Sequence, residues 1–394
     1  MTSKQSYIGR SFIAMAVIAL TPITAEADGT ASANGLNFGA VLDGSYSSGG
    51  LALEEERGNG FGLGHTEFSV RGNIDDWLAA TVTAAVHSHD GESEIELEEA
   101  FVETTQLGGG FSVRAGRMLS QIGHLNGQHL HADDFTLRPL IYRGLLGSHY
   151  LDDGLRANWV LPTSFYSRLG IELFSGRGYI SESTNEPSLG VWTLSAKVGG
   201  DIGRSNSWQA GLSTLKNRRD AVIEEHDEMP DLVLGEEDSH DAHDHGHDHA
   251  HGAQFTGGTV WIADAVWKWA PNGNNRNRQL RVHGEVARVT DVTNEVGDSA
   301  EHEGWTLGVV YRFHPQWEVG VQYGDLTVAA PHEDHFDRGR ITETNLMLAW
   351  KRSHFSTLRL SVTSQQNKGG FDEAGDAVML QYVVSLGAHG AHSF

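Results

Sequence analysis

Residues 304–313, "GWTLGVVYRF", alternate two kinds of side chain along their whole length. The odd-numbered positions hold Trp, Leu, Val, Tyr and Phe, whereas the positions between them hold Thr, Gly, Val and Arg. Because successive side chains of a strand point to opposite faces, this stretch predicts a strand with one apolar and one mixed face. After "HPQ", residues 317–325 repeat the pattern. The two stretches therefore predict two strands joined by a tight turn.

The same alternation marks sixteen segments along the chain. They are residues 35–45, 61–72, 77–88, 94–106, 110–117, 152–160, 165–174, 191–200, 207–216, 257–270, 278–290, 303–313, 316–325, 340–351, 355–365 and 376–394. Short connections such as "NIDD", "LGGG" and "HPQ" take turns with long polar ones, at 46–60, 118–151, 175–190, 217–256, 291–302, 326–339 and 366–375. An even strand count with short turns at one end and long loops at the other predicts an all-β fold, a transmembrane antiparallel β-barrel of about 16 strands.

The distribution of aromatic and charged residues supports a barrel over a soluble β-sandwich. Aromatic residues adjoin the short turns, as an interfacial girdle requires: Trp77, Trp208, Trp269, Phe313, Trp317, Trp350 and Phe355. Charged residues occupy the second face of the strands: Glu67, Arg71, Glu172, Arg288, Arg312, Glu318, Lys351 and Arg359. A sandwich would need that face to pack tightly, so its charges predict a wet lumen.

The first 27 residues have the features of a secretory signal peptide. Lys4 and Arg10 precede an apolar run of about ten residues, and Ala25 and Ala27 frame a cleavage site. The mature chain, residues 28–394, is expected to form the barrel. It contains no cysteine, and no stretch reaches the roughly 18 apolar residues of a membrane helix.

The chain is strongly acidic, with a formal net charge of −24. Removing Lys4, Arg10 and Glu26 with the signal peptide leaves −25. Much of the negative charge lies in the long connections, where it would concentrate cations and exclude nucleic acid as a partner. A merely solvated anionic surface explains the same charge equally well.

The last strand, "YVVSLGAHGAHSF", places Tyr382, Val384 and Leu386 on one face with the terminal Phe394. This ending resembles the C-terminal strand of bacterial outer-membrane porin-type barrels. The resemblance implies the bacterial outer membrane as location, its lipid and the barrel-assembly machinery as partners, and a homotrimer as one assembly. Together with a histidine-rich loop, "GAHGAHSF" further resembles barrels that bacteria associate with zinc uptake.

The long connection 217–256 contains a tract, "HDAHDHGHDHAHG", with a histidine at every second residue from His243 to His251. Its predicted metal ligands are His240, His243, His245, His247, His249, His251, Asp241, Asp244 and Asp248. Imidazole and carboxylate donors suit Zn²⁺, loosely bound, although copper and nickel would bind too. The alternative is a low-complexity loop kept soluble by its charge. In the predicted topology this loop meets the extracellular medium.

The connection 118–151 is unusually apolar for a loop, which predicts that it packs against something. In barrels that resemble porins the third loop folds into the lumen and narrows it, and the resemblance implies this placement here. A relay site for metal near the constriction would use His129, His131 and Asp133, with His124 close by. Ordinary hydrogen-bonded loop histidines are the alternative.

The function expected from these features is an outer-membrane channel for passive or facilitated uptake of divalent metal, with zinc as the leading candidate. Residues 217–256 would form an extracellular loop that captures the metal. A general or anion-selective porin of the phosphate type, whose histidine tract is incidental, is the alternative. Several arginines near the third loop favour that alternative: Arg114, Arg117, Arg138, Arg143 and Arg156. An enzyme is not expected, because no G-x-S-x-G elbow is present.

Overall fold

A computed structural model of the chain describes residues 32–33, 35–53, 59–89, 92–221, 253–294, 296–332, 334–369, 371 and 375–387. Within these ranges sixteen long strands form one closed antiparallel barrel. They are β1 (Leu36–Ser48), β2 (Thr66–Asn73), β3 (Leu78–His89), β4 (Glu92–Thr104), β5 (Phe111–Leu119), β6 (Leu151–Val160), β7 (Tyr166–Phe174), β8 (Val191–Ile202), β9 (Asn206–Asn217), β10 (Thr259–Trp269), β11 (Gln279–Thr293), β12 (Ser299–His314), β13 (Trp317–His332), β14 (His335–Ser353), β15 (Ser356–Lys368) and β16 (Asp376–Gly387).

Each barrel strand pairs with its neighbours in sequence, and β16 closes the ring against β1, with Val378 opposite Ser48 and Gly387 opposite Gly39. Two short segments, Ser32–Ala33 and Gly60–Leu63, pair with β1 without adding a wall strand. The predicted fold class and strand count are therefore confirmed. Closure matters because it leaves no strand edge with unpaired backbone groups.

Burial follows the predicted alternation. Along β12 the inward residues Thr306 and Val310 are buried, whereas Trp305 and Leu307, on either side of Thr306, are 41% and 46% exposed. The outward rings of Trp305 and Tyr323 on β13 contact each other at 5.2 Å between centroids. An apolar outer surface around a buried inner face is the arrangement of a barrel that contacts lipid.

One of the charged residues expected inside the barrel lies outside it. Arg288 of β11 is exposed and pairs with the exposed Glu301. Its neighbours Ala287 and Val289 are almost fully buried, so strand alternation turns Arg288 outward. The prediction of an inward Arg288 was wrong. By contrast, Glu172 and Glu318 are each 1% exposed, as a position on the inner face requires.

Two predicted long loops are largely strand. Residues 326–339 continue β13 and β14, which leave only residues 333–334 between them. Most of 291–302 likewise belongs to β11 and β12. The prediction was wrong because Val292, Leu326 and Val328 pack into an apolar cluster inside the barrel. Burying those side chains favours extended wall strands over a solvated loop.

The connection between β5 and β6 is long and contains a one-turn 3₁₀-helix (Leu130–Ala132) and the helix α1 (Leu140–Leu146). Every residue of α1 is buried. A second 3₁₀ turn (Pro271–Gly273) lies in the connection after β10. Within the described ranges, no helix has the length and apolarity to cross a membrane. The predicted signal peptide, the histidine tract and Phe394 fall outside the described residues.

Candidate functional site

Residues 120–150, which we call the inner loop, lie inside the barrel and bind several wall strands. The Tyr142 hydroxyl donates to Glu285 Oε2 of β11 at 2.6 Å. Arg143 donates to Glu343 of β14. The backbone N–H of Gly123 donates to Ser213 Oγ of β9 at 2.9 Å. Anchors on three wall strands fix the loop across the lumen.

The end of the lumen nearest the long connections, the loop-side half, is filled with apolar side chains. Leu140, Ile141 and Leu145 of α1 belong to one buried cluster with inward residues of the wall. Most of the wall members come from β8 to β14, and Phe101, Met118 and Phe174 come from β4, β5 and β7. Those on β8 to β14 are Val191, Leu215, Val260, Ile262, Ala287, Val289, Val292, Leu326, Val328 and Ile341. This packing explains why the apolar sequence of the inner loop is compatible with a lumen lined elsewhere by charge.

Two histidines and two glutamates meet where the inner loop touches β2 and β4. His65 Nε2 lies 3.2 Å from Glu67 Oε1 and 3.3 Å from Glu98 Oε1. His129 Nδ1 lies 3.2 Å from Glu67 Oε2 and 3.1 Å from Glu98 Oε2. One donor atom from each residue falls within 4.8 Å of the other three. We call these four residues the His/Glu cluster.

Local strand geometry explains how the glutamates converge. The pairing of β3 with β4 shifts register between Thr83 and Ala84. The resulting bulge brings the consecutive residues Glu98 and Glu99 both to buried positions. On β3, between the two glutamate-bearing strands, the buried side chains of Thr83 and Ala85 are small. They leave room for the carboxylates of Glu67 and Glu98 to meet.

The other nitrogen of His129 is also held by a carboxylate. His129 Nε2 lies 3.2 Å from Glu99 Oε2. Burial disfavours the charged imidazole, but the nearby carboxylates of Glu98 and Glu67 outweigh burial and raise the pKa of His129 well above its ordinary range. Glu99 also fixes the ring orientation, as outer carboxylates do for metal-bound histidines.

The donor set fits a divalent transition metal. Two imidazole nitrogens and two carboxylate oxygens form a set that Zn²⁺ accepts in tetrahedral geometry. With metal–ligand bonds near 2.0–2.1 Å, ligand atoms of a tetrahedron lie about 3.3 Å apart. The His–Glu distances of 3.1–3.3 Å match that spacing. Protons can hold the same four groups together through hydrogen bonds, so metal and protons compete for them.

The three inner-loop residues predicted as a relay, His129, His131 and Asp133, are only partly brought together. The rings of His129 and His131 stack with centroids 5.7 Å apart, and His131 Nδ1 lies 2.7 Å from Glu67 Oε1. Asp133 instead accepts from Gln128 and Arg138, each at 2.8 Å. His129 thus belongs to the His/Glu cluster, His131 adjoins it and Asp133 is bound elsewhere.

His124 lies on another side of the inner loop. Its backbone N–H donates to Glu285 Oε2 at 3.1 Å. Burial, together with the charge of Lys197, lowers the pKa of the His124 imidazole to about 3. His124 is therefore a neutral residue of the loop–wall contact.

Sequence analysis did not single out His65 and Glu98, and it noted Glu67 only as an inward charge. His65 and Glu67 are two positions apart, so an extended backbone turns both to one face. The consecutive glutamates at 98–99 interrupt the alternation of β4, which signals a bulge. These local signals exist, but the meeting of β2, β4 and the inner loop does not follow from them.

The end of the lumen nearest the short turns holds a water-accessible cavity of about 910 Å³, which we call the vestibule. Its lining includes seven cationic side chains: Lys268, Arg276, Arg281, Arg312, Lys351, Arg352 and Arg359. Asp133 and Asp134 are the carboxylates of the lining. A second cavity of about 470 Å³ lies beside it, and His124 lines both. His131 connects the vestibule to the His/Glu cluster.

A buried carboxylate organises three of the vestibule cations. Glu318 of β13 is 1% exposed. Its oxygens lie 3.0 Å from Arg281 Nη2, 2.5 Å from Arg312 Nη2 and 2.9 Å from Lys351 Nζ. Asp134 of the inner loop also binds Arg281, at 2.5 Å. This ion-pair network leaves more positive than negative charge around the cavity.

Comparison with known proteins places the fold. No family model matches the chain. An uncharacterised protein of Aquifex aeolicus (strain VF5) is 26% identical over 366 residues, which cover 87% of this chain and 71% of that protein. Among solved structures, the outer-membrane channel DcaP of Acinetobacter baumannii matches with a TM-score of 0.57 at 11% identity, over 89% of this chain and 97% of the other.

An anion-selective porin from Comamonas acidovorans matches with a TM-score of 0.55 at 12% identity, over 89% of this chain and 99% of the porin. The high-pH structure of Pseudomonas putida OprB matches with a TM-score of 0.53 at 11% identity, over 89% and 94%. At these identities the likeness concerns the fold alone. The chain has the fold of porin-like outer-membrane channels.

Proposed function

We propose that the protein is a passive channel of the bacterial outer membrane that admits divalent metal, with zinc as its principal cargo. The observation that carries the proposal is the His/Glu cluster, a four-donor set of His65, Glu67, Glu98 and His129 inside the lumen. A buried group of two carboxylates and two imidazoles is costly unless protons or a metal hold it together. The fold supports a channel over an enzyme.

The position of the cluster suits a metal in transit. The His129 side chain is 24% exposed, whereas the side chains of Glu67 and Glu98 behind it are 5% and 1% exposed. His131 adjoins Glu67 and lines the vestibule. A metal ion could therefore pass from His129 toward the turn side through imidazole and carboxylate contacts. The inner loop that carries both histidines would act as the constriction.

The remaining parts of the proposal come from the sequence. The short turns would face the periplasm and the connection 217–256 the outside, where the His240–His251 tract would raise the local concentration of metal. The strand that ends at Phe394 would be read by the barrel-assembly machinery. A homotrimer is the proposed assembly, and one structural neighbour, OmpT of Vibrio cholerae, is described in a trimer form.

Zinc calorimetry on the purified protein tests the cluster. Deleting residues 240–251 should remove the loose sites of the tract and leave one tight site. Adding Glu98→Gln should abolish that site, because one carboxylate bridges both histidines. Glu103→Gln is the matched control, since Glu103 binds Arg71 and Arg114 and no cluster histidine. A tight site that survives Glu98→Gln would refute a metal-binding cluster.

Zinc flux into proteoliposomes tests transport. Loss of the tract should slow entry only when external zinc is scarce, because a passive channel cannot drive accumulation. Glu98→Gln should slow entry at scarce zinc as well, while Glu103→Gln should leave zinc entry unchanged. Zinc flux no greater than in empty liposomes would remove metal as the cargo.

A general or anion-selective porin is the second candidate, and the basic lining of the vestibule favours it. In that case zinc flux would match the flux of any small ion of equal size and charge. Single-channel current would then be unaffected by micromolar zinc in both the parent protein and Glu98→Gln.

A further inference from the structure

The vestibule has the opposite charge to the chain as a whole. The sequence carries a formal charge of −24, yet the vestibule lining contains seven cationic side chains against two aspartates. Low-dielectric walls focus such a field into the cavity. A bare divalent cation that left the His/Glu cluster on this side would therefore meet like charge.

The carboxylates near the vestibule are already bound to cations. Asp133 accepts from Arg138 at 2.8 Å, and Asp134 and the more deeply buried Glu318 both bind Arg281. Arg359 instead donates to neutral acceptors, the side chain of Gln381 and the backbone oxygen of His131. These three carboxylates therefore offset only part of the positive charge that the seven lining cations present to the cavity.

The charge and size of the cavity fit a small oxyanion. Guanidinium groups match carboxylate and phosphate oxygens in a planar fork, and lysine adds a point charge. A volume of about 910 Å³ is large enough for a small organic anion together with a metal ion, since ligand pockets span roughly 300–1,000 Å³.

We propose that the vestibule binds small oxyanions of the carboxylate or phosphate class, and that metal crosses it as an oxyanion complex of net negative charge. Only the second part of this proposal, the passage of metal as an oxyanion complex, rests on the proposed metal channel. The shared chemistry is the oxyanion, which enters either free or as the ligand shell of the metal.

Reversal potentials in planar bilayers across a KCl gradient test the vestibule without metal. The parent protein should favour chloride over potassium severalfold. The vestibule triple variant carries Lys268→Gln, Arg276→Gln and Arg352→Gln. It removes three positive charges while sparing the ion pairs of Glu318, and it should abolish the preference for chloride. The control changes Arg177, Arg218 and Arg338 to Gln, three exposed residues near the loop-side end, and should retain it. Cation preference in the parent, or equal reversal potentials in the two triple variants, would overturn the proposal.

Two further measurements separate the sources of the oxyanion. Calorimetry with citrate alone should show binding that the vestibule triple variant loses and the control keeps; equal binding to both variants would overturn the oxyanion site. In proteoliposomes, the vestibule variant should slow entry of zinc citrate and spare entry of free zinc. Equal slowing of both forms would overturn transit as a complex. Anion preference and citrate binding without any zinc flux would uphold the vestibule and reject the metal channel.

Discussion

The loop-side and turn-side halves of the lumen are built on different principles. On the loop side, α1 and inward wall residues such as Leu326 form a buried apolar core. On the turn side, Glu318 binds three of the cations that line a water-accessible cavity. One barrel wall thus supports two different fillings, the packed part of the inner loop around α1, which we call the plug, and the charged vestibule. This is possible because the inward strand positions can carry either apolar or charged side chains once the outer face is apolar.

The largest effect is expected from breaking the ion pair that anchors the plug. In Arg143→Met the carboxylate of Glu343 keeps its charge in a site where both side chains are at most 3% exposed. Docking of α1 should weaken by about 3–5 kcal/mol. Hydrogen exchange at the α1 amides measures the change. The double variant Arg143→Met with Glu343→Leu should recover most of the loss, and no recovery would show that packing, not buried charge, dominates.

The next effect concerns the apolar core itself. Leu145 is fully buried in α1, so Leu145→Ala should cost about 2–5 kcal/mol of loop docking and increase single-channel conductance. Leu346→Ala is the control, because Leu346 is 55% exposed on the outer face. Equal conductance in Leu145→Ala and the parent protein would mean that the plug does not limit ion flow.

A smaller, pH-dependent effect is expected at the boundary between the halves. The pKa of His124 is lowered to about 3 in the folded loop, against about 6.5 when unfolded. The unfolded loop therefore binds more protons below pH 6.5, and loop stability falls as pH decreases from 6.5 toward 3. At pH 5 the inner loop should be less stable than at neutral pH by at most about 2 kcal/mol. Exchange protection of residues 121–128 should show this slope, and His124→Asn should flatten it.

The smallest effect is expected outside the lumen. Arg288 and Glu301 are both about half exposed, so Arg288→Ala should change barrel stability by less than about 1 kcal/mol. Urea unfolding in detergent measures the difference. A cost comparable to that of Arg143→Met would contradict the outward placement of Arg288.

Prediction from sequence succeeded for the wall and only partly for the site. Alternation in β12 and β13 identified strands because burial on one face repeats every two residues. The prediction of loops at 291–302 and 326–339 was wrong because these stretches looked polar locally, whereas Val292 and Leu326 are buried in the apolar cluster that contains α1. For the site, sequence analysis identified His129 from its loop, but the glutamates that bind it lie 30 or more residues away in sequence.

The sequence by itself determined the class of fold, since a closed barrel with an apolar outer face needs only a period of two and turns of the right length. Tertiary structure decided where the chemistry lies. A bulge brought Glu98 and Glu99 to buried positions, and the inner loop carried His129 to them. Long-range contacts of this kind depend on how the loop packs in three dimensions, and neighbouring residues along the chain carry little information about that packing.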